Sequence, residues 1–473
     1  MSQAYQRNIL RTLAAGFTVI SSLALSPADT LRTGQRTTAL DEYIQKTDDS
    51  YSYKVLLEKK ETGYTYFVLE LTSQTWRSEK DVDRPVWKHQ LNMIVPAVLK
   101  SDVSLMVISG GENGREPRDS PRPEYAQFAA LTGSVVTELG QVPNQPLKYT
   151  GEEKGKVEDS SIAYTWDKFL RTGDNEWPLQ LPMTKSAVRA MDAITDFCAS
   201  EQCGKKKVER FVVAGGSKRG WTTWLTAAVD TRVIAIAPIV IDMLNVVPSF
   251  RHHYRAYGFF APAVDDYVEM GIMDWMGTEK YTELAQMVEP YEYRQRLTMP
   301  KYLINASGDQ FFVPDSHQFY FDDLVGEKYI RYVPNADHSL KGSDALEGLV
   351  AWYQAILTAT PRPRFEWKIT EDGTIHVEAE DEPLEVKLWQ ANNADARDFR
   401  VETIGKTWQA SDLAPVSDGK YEAKVSAPEK GFTAFYIELK FPGAPDVPMI
   451  FSTGVKVTPD SLPFDEYTRK PVE

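Results

Sequence analysis

Val212-Val213-Ala214-Gly215-Gly216-Ser217-Lys218-Arg219-Gly220-Trp221 is an apolar run that breaks on glycines at a serine and resumes as a helix. A serine hydroxyl is a poor nucleophile at neutral pH. To react it must be lifted clear of a sheet, within reach of a base and beside backbone N–H donors at a helix N-terminus. A strand that turns sharply into a helix at the serine provides all three. The usual spacing is G-x-S-x-G, and this chain departs from it, with Arg219 at the second position after the serine and the glycine one place late at Gly220. Taken alone, the run equally describes an ordinary strand-to-helix turn.

Two later segments complete the pattern. Lys301-Tyr302-Leu303-Ile304-Asn305-Ala306-Ser307-Gly308-Asp309 is a short apolar run ending in small residues and an acid. Tyr329-Ile330-Arg331-Tyr332-Val333-Pro334 is another, followed by Asn335-Ala336-Asp337-His338. The chain order Ser217, Asp309, His338 is that of α/β-hydrolases, and the carboxyl ends of parallel strands face one crevice where the three can meet. Asp242, at the end of the run from Val233, competes with Asp309 for the acid. His317 is the nearest rival histidine, in a segment that starts like a helix with Asp315 as N-cap. One oxyanion donor would be the Lys218 N–H, directly after the nucleophile. The second would come from Ser109-Gly110-Gly111, after the strand Val103–Ile108, with Gly111 as the donor; a plain Gly-Gly turn is the alternative.

The 473-residue chain exceeds one hydrolase core, so two domains are expected. Its formal charge of −14 argues against nucleic acid or an anionic membrane as partner. Arg7 and Arg11 precede the apolar stretch Leu13–Leu25 and then Ser26-Pro27-Ala28, which reads as a signal peptide over residues 1–28, with no membrane span in the mature protein and a periplasmic or extracellular destination. In that compartment the only two cysteines, Cys198 and Cys203, are expected to pair as a disulfide. No His or Cys cluster accompanies them, so neither a metal nor another cofactor is called for.

Residues 51–71 alternate like a hairpin with a turn over Lys59–Gly63, and residues 184–199 have helical spacing with Thr184 as N-cap. The catalytic domain is placed at 41–360. Inside it, about residues 243–300 are too many for a simple crossover and read as a helical cap rich in aromatic residues and methionine. A second long connection, roughly 145–182, carries Trp166. Caps set substrate choice, and Arg219, Trp166 and Tyr257 are the expected substrate contacts, with an acid near the crevice as the other partner open to Arg219. Beyond the Pro361-Arg362-Pro363 linker, short alternating runs over 364–473 describe an immunoglobulin-like β-sandwich that could bind a partner or polymer.

With Ser217-Lys218-Arg219-Gly220-Trp221-Thr222-Thr223-Trp224, Gly308-Asp309-Gln310-Phe311-Phe312 and Asn335–Leu340 in view, the chain resembles the PhoPQ-activated pathogenicity-related family from about residue 41 to the C-terminus. The resemblance implies an α/β-hydrolase fold with an all-β C-terminal part, a secretion signal and, in bacteria, a response to a two-component system that senses cations and antimicrobial peptides. Related secreted proteins carry the name autocrine proliferation repressor. The expectation is a secreted or periplasmic serine hydrolase with Ser217 as nucleophile, His338 as base and Asp309 as its orienting acid, acting on an ester, a peptide or an envelope-derived molecule. The alternative is a non-enzymatic secreted binding or signalling protein that retains the fold.

Overall fold

The computed structural model describes residues 37–444 and 447–472, so the expected signal peptide lies outside the described residues. Nine strands build the central sheet: β1 (Ser52–Glu61), β2 (Tyr64–Thr75), β3 (Val86–Pro96), β4 (Val103–Ile108), β5 (Val136–Leu139), β6 (Arg210–Gly216), β7 (Val233–Ile239), β8 (Lys301–Ala306) and β9 (Lys328–Val333). They lie in the order β1-β2-β3-β5-β4-β6-β7-β8-β9, antiparallel as far as β5 and parallel from there. The inner strands β4, β6 and β8 are buried on both faces, which is why they read as nearly continuous apolar runs. The carboxyl ends of β4, β6, β8 and β9 share one edge. Gly111, Ser217, Asp309 and His338 follow those ends.

Local differences from the sequence reading have simple causes. Lys59, Lys60 and Glu61 belong to β1, because the alternation continues through them. The turn is only Thr62 and Gly63, with Glu61 opposite Tyr64 and Gly63 at φ +88°, a conformation a two-residue hairpin turn requires. The helix expected from Thr184 spans Gln180–Ala199, and Thr184 is buried inside it. Its hydroxyl donates to the Gln180 carbonyl one turn back (2.8 Å), so it caps nothing.

Between β7 and β8 the chain is helical, with Val246–Tyr257, Asp265–Glu269, Ile272–Trp275 and Glu279–Val288. The buried Glu289 accepts the Val246 N–H at 2.6 Å and so ties the end of this segment to its beginning. Burial pushes its carboxyl up to about 8.

Eight more strands follow: β10 (Phe365–Ile369), β11 (Ile375–Ala379), β12 (Glu385–Asn393), β13 (Gln409–Asp412), β14 (Lys420–Ala423), β15 (Phe432–Phe441), β16 (Met449–Ser452) and β17 (Lys456–Thr458). β10, β11 and β14 form a three-stranded sheet of their own. The others prolong the central sheet, since β16 docks antiparallel on β9 with Ser452 opposite Ile330 and β15, β12 and β13 continue outward. β9 would otherwise be an open edge of unpaired backbone groups. The Tyr332 N–H donates to Ser452 Oγ (3.0 Å), and the Tyr302 hydroxyl donates to the Ile450 carbonyl (2.6 Å). Phe451 stacks on Tyr329, and Phe365 stacks on Phe441 and Phe451, so the junction is an aromatic core and the two parts of the chain share it.

Candidate active site

At the end of β6 the backbone turns on Ser217, which sits at φ +57°, ψ −128° directly before the helix Lys218–Val229. A non-glycine residue in that region stores roughly 1–3 kcal/mol of strain and persists only where its surroundings enforce it. Here the Ser217 N–H donates to the Ile239 carbonyl (2.8 Å) and the Trp221 N–H to the Ser217 carbonyl (3.0 Å). The glycine spacing follows from contact. A Cβ on Gly215 would come within 2.6 Å of the Arg219 carbonyl oxygen, and one on Gly220 within 2.9 Å of the Gly215 carbonyl oxygen. The late glycine therefore does the packing, and position 219 is open to a long side chain.

On the loops after β8 and β9, His338 Nδ1 lies 2.8 and 3.0 Å from the two Asp309 carboxylate oxygens, and Asp309 is buried. Phe311 and Phe312 flank the imidazole at 4.3 and 5.9 Å between ring centroids. A carboxylate on Nδ1 favours the tautomer that leaves Nε2 as an acceptor. His338 Nε2 is buried and has no hydrogen-bond partner. Asp309 and His338 are thus brought together, and Ser217 makes no hydrogen bond to that open nitrogen in this state.

The two loops hold each other through Gly308 N–H to Ala336 O (3.1 Å) and Asn335 N–H to Ser307 Oγ (3.1 Å). The C-terminal region then grips both. The Val401 N–H donates to the Gly308 carbonyl (3.0 Å), and Val401 Cγ2 packs so close that a Cβ on Gly308 would lie 2.5 Å from it. Asn335 and the Trp408 backbone exchange two hydrogen bonds of 2.9 Å.

Arg219, expected to meet substrate or an acid near the crevice, is paired with an acid. Its guanidinium donates to the Val142 carbonyl (2.7 Å) and to Glu158 (2.6 Å) and lies against Gly110, where a Cβ would be 2.5 Å from Nη2. Lys218 Nζ bridges Glu158 and Asp159, each at 2.9 Å, and Asp159 also accepts from the Tyr267 hydroxyl. Burial alone would raise the Glu158 carboxyl, but the charges of Lys218 and Arg219 hold it down at about 2. The cluster as a whole, with Lys218 as its second cation, was not foreseen in the sequence, although an acid for Arg219 was. Its only signal is a pair of acids at a helix start, some sixty residues from a pair of cations.

Ser217 and Lys218 line a narrow cavity of about 40 Å³. Trp166, Trp221, Tyr281 and Phe311 are among its walls, together with three methionines of the segment after β7. Gly111, at φ +128°, lies on the loop that Arg219 packs against through Gly110, and Lys218 opens the helix whose first N–H groups have no intrahelical acceptor. Tyr257 is not at the cavity. It is buried in a separate small cluster with Ala256, Ala261 and Val313, beneath the Arg400 guanidinium.

The rival carboxylates are occupied as well. Asp242 accepts from the hydroxyls of Tyr320 and Tyr332 and does not touch His338; burial pushes its carboxyl up to about 7. Asp315 does sit at the N-cap of a short 3-10 helix, Ser316–Phe319, but makes no capping hydrogen bond, because Arg397 (2.5 Å) and His252 (2.9 Å) claim its side chain. His317 is fully buried, and burial pushes its imidazole down to about 4. Cys198 and Cys203 are free, buried thiols, not a disulfide. The turn between them is closed by backbone bonds instead, Lys205 N–H to Ser200 O and Lys206 N–H to Cys198 O. Among the described residues no group of three or more His, Cys, Asp or Glu side chains could hold a metal ion, and no helix is long and apolar enough to cross a membrane.

A parallel sheet with a strained serine elbow after β6, an acid after β8 and a histidine after β9 defines an α/β-hydrolase fold. The chain belongs to the PhoPQ-activated pathogenicity-related protein family, whose model matches residues 40–400. It is 39% identical over 456 residues to autocrine proliferation repressor protein A of Dictyostelium discoideum, covering 90% of this chain and 92% of that protein. Among solved structures it is similar to an acetyl xylan esterase from Paenibacillus sp. R4, with a TM-score of 0.48, 12% identity and coverage of 70% of this chain and 98% of that one. Acetyl xylan esterase 1 from Thermoanaerobacterium sp. JW/SL YS485 is similar at a TM-score of 0.46 and 13% identity, over 70% of this chain and 97% of that one.

Proposed function

We propose that the protein is a secreted or periplasmic serine hydrolase that uses Ser217, His338 and Asp309 and needs no cofactor. The reading is carried by one observation: a part-buried His338 held by the buried Asp309, with no partner on its Nε2, and a serine in a strained turn at the wall of a cavity also lined by Phe311 and Phe312, the rings that flank the imidazole. Ser217 Oγ attacks the carbonyl carbon while its proton passes to His338 Nε2. The imidazolium is stabilised by Asp309 on Nδ1. Negative charge on the former carbonyl oxygen is met by the Lys218 N–H and, from the loop after β4, the Gly111 N–H. Collapse expels the leaving group, which takes the proton from Nε2, and leaves Ser217 acylated. Water then attacks the acyl-enzyme and gives a proton to Nε2; the acid departs and Ser217 Oγ is reprotonated.

The test is covalent labelling. A fluorophosphonate should modify the secreted wild-type protein at Ser217, and Ser217→Ala and His338→Ala should not react. An unlabelled, folded wild type removes the enzyme reading. The name of the Dictyostelium relative supports a second reading, in which a secreted chain represses proliferation by binding and the hydrolase fold is a scaffold. On that reading Ser217→Ala keeps full biological activity. The face of the C-terminal sheets, which we take as an immunoglobulin-like sandwich over 364–473, is where a partner or polymer would dock.

A further inference from the structure

We infer that the cavity at Ser217 is an acyl pocket limited to short, uncharged chains, so the preferred substrates are esters whose acyl part has about two to four carbons. The inference rests on the serine-hydrolase reading and adds the substrate class to it. The acyl group of an acylated Ser217 has to sit against the cavity that this residue lines. With only about 40 Å³ of free space, it would be filled by a short alkyl tail and far exceeded by a peptidyl group.

The walls explain why the limit should hold. Trp166 and Trp221 meet edge to face with centroids 5.9 Å apart. The Trp166 indole N–H donates to Gln180 Oε1 (2.9 Å), and that of Trp221 donates to the Val288 carbonyl. Neither ring can swing aside without leaving a buried polar group unpaired. Tyr267 and Tyr281 back Trp166 at 5.5 and 6.4 Å. The methionine part of the lining is softer, since Met243, Met273 and Met276 are unbranched and can adapt to a chain of one or two extra carbons. The charged groups on the lining, Asp159 and Lys218, are paired with each other (2.9 Å), so the pocket offers no unpaired charge to an ionic acyl group.

The experiment compares p-nitrophenyl acetate, butyrate and octanoate on the full mature chain. Wild-type kcat/KM should be similar for acetate and butyrate and about 100-fold lower for octanoate, since each group that does not fit costs roughly tenfold or more. Trp166→Ala should raise the octanoate-to-acetate ratio at least tenfold. If that variant fails to fold, Met273→Ala should shift the ratio in the same direction through the softer part of the lining. Octanoate hydrolysed as well as acetate by the wild type, or a ratio unmoved in a folded variant, overturns the size limit while leaving Ser217 as nucleophile. A wild type that hydrolyses none of the three esters, yet is labelled at Ser217 by a short fluorophosphonate, overturns the ester assignment alone. No labelling at Ser217 overturns both readings together.

Discussion

Replacing Asn335 with glycine separates the grip of the C-terminal region from every other feature of the site. Asn335 lies three residues before His338, in the left-handed region at φ +57°, and exchanges two 2.9 Å hydrogen bonds with the Trp408 backbone. Alanine there would add backbone strain, whereas glycine accepts the same φ without it. Asn335→Gly therefore removes two hydrogen bonds, about 1 kcal/mol each, and adds about 0.5–1 kcal/mol of chain entropy, for a net cost of about 2–3 kcal/mol. A chain of 473 residues has an unfolding entropy near 1 kcal/mol/K at ~2.1 cal/mol/K per residue, so Tm should fall by about 2–3 °C. If the protein is the proposed hydrolase, the catalytic effect should be much larger than that small stability change implies. The loop carrying His338 would lose its tie to the C-terminal region, and a displacement near 1 Å costs on the order of 100-fold in rate. We expect kcat for a short ester to drop at least tenfold with KM nearly constant, because Asn335 is not one of the acyl cavity walls. Asn335→Asp, which keeps the acceptor for the Trp408 N–H, should fall between. Calorimetry and steady-state kinetics on the same samples decide the matter. A lower Tm with unchanged kcat would refute the positioning role and leave Asn335 as a structural link only.

Two further outcomes follow from the buried charges. Asp242 titrates near 7 in the folded chain against an ordinary 3.8, so the unfolded chain releases its proton first as pH rises; folding stability should decline between about pH 4 and 7, by on the order of 4 kcal/mol at most, and Asp242→Asn should abolish that slope in denaturant titrations. Identical slopes in the two proteins would show that Asp242 does not titrate there. Glu158 has the opposite sign: its carboxyl is held at about 2 against an ordinary 4.5, so the stability from its pairing is complete above about pH 4.5 and is lost as pH falls through 2. Wild type should be more stable than Glu158→Gln at pH 6, and the two should converge near pH 2. Equal stability at pH 6 would show that Lys218 and Arg219 do not depend on this carboxylate.

The parts of the fold legible in the sequence are those decided by short-range sterics. The elbow could be read because tight turns force glycine at Gly215 and Gly220, and the shifted spacing could be recognised even with Arg219 between. Buried parallel strands leave apolar runs, and the residues after those runs are confined to one edge, so chain order alone brought Asp309 and His338 into consideration. What stayed hidden depends on partners distant in the chain. Nothing local to Asn335 or Gly308 points to Trp408 or Val401, because that contact exists only once β16 has closed the edge of β9. Glu158 and Asp159 look like ordinary first-turn acids until the elbow places Lys218 and Arg219 opposite them. Tyr257 was assigned to substrate because it lies in an aromatic cap, yet helix faces alternate between cavity and core, and its ring belongs to the latter.

Asp242, Asp309 and Asp315 show how environment, rather than residue type, decides which carboxylate pairs with His338. All three are buried on the side of the sheet where β7, β8 and β9 end. Asp315 is opposed by burial, but Arg397 and His252 hold it well below the usual carboxylate range, so it remains a fixed anion that joins the C-terminal region to the cap. Asp242 has only two tyrosine hydroxyls as partners, and burial drives it toward the neutral form, where it cannot stabilise a cation. Asp309 alone meets an imidazole nitrogen with both oxygens while its Oδ1 also accepts the Phe311 N–H at 2.8 Å. That extra donor fixes the carboxylate plane, and the plane fixes the ring whose other nitrogen has no hydrogen-bond partner. Exchanging the acids cannot preserve the site: a charge at position 242 has no imidazole to orient, and one at 315 is already neutralised by Arg397.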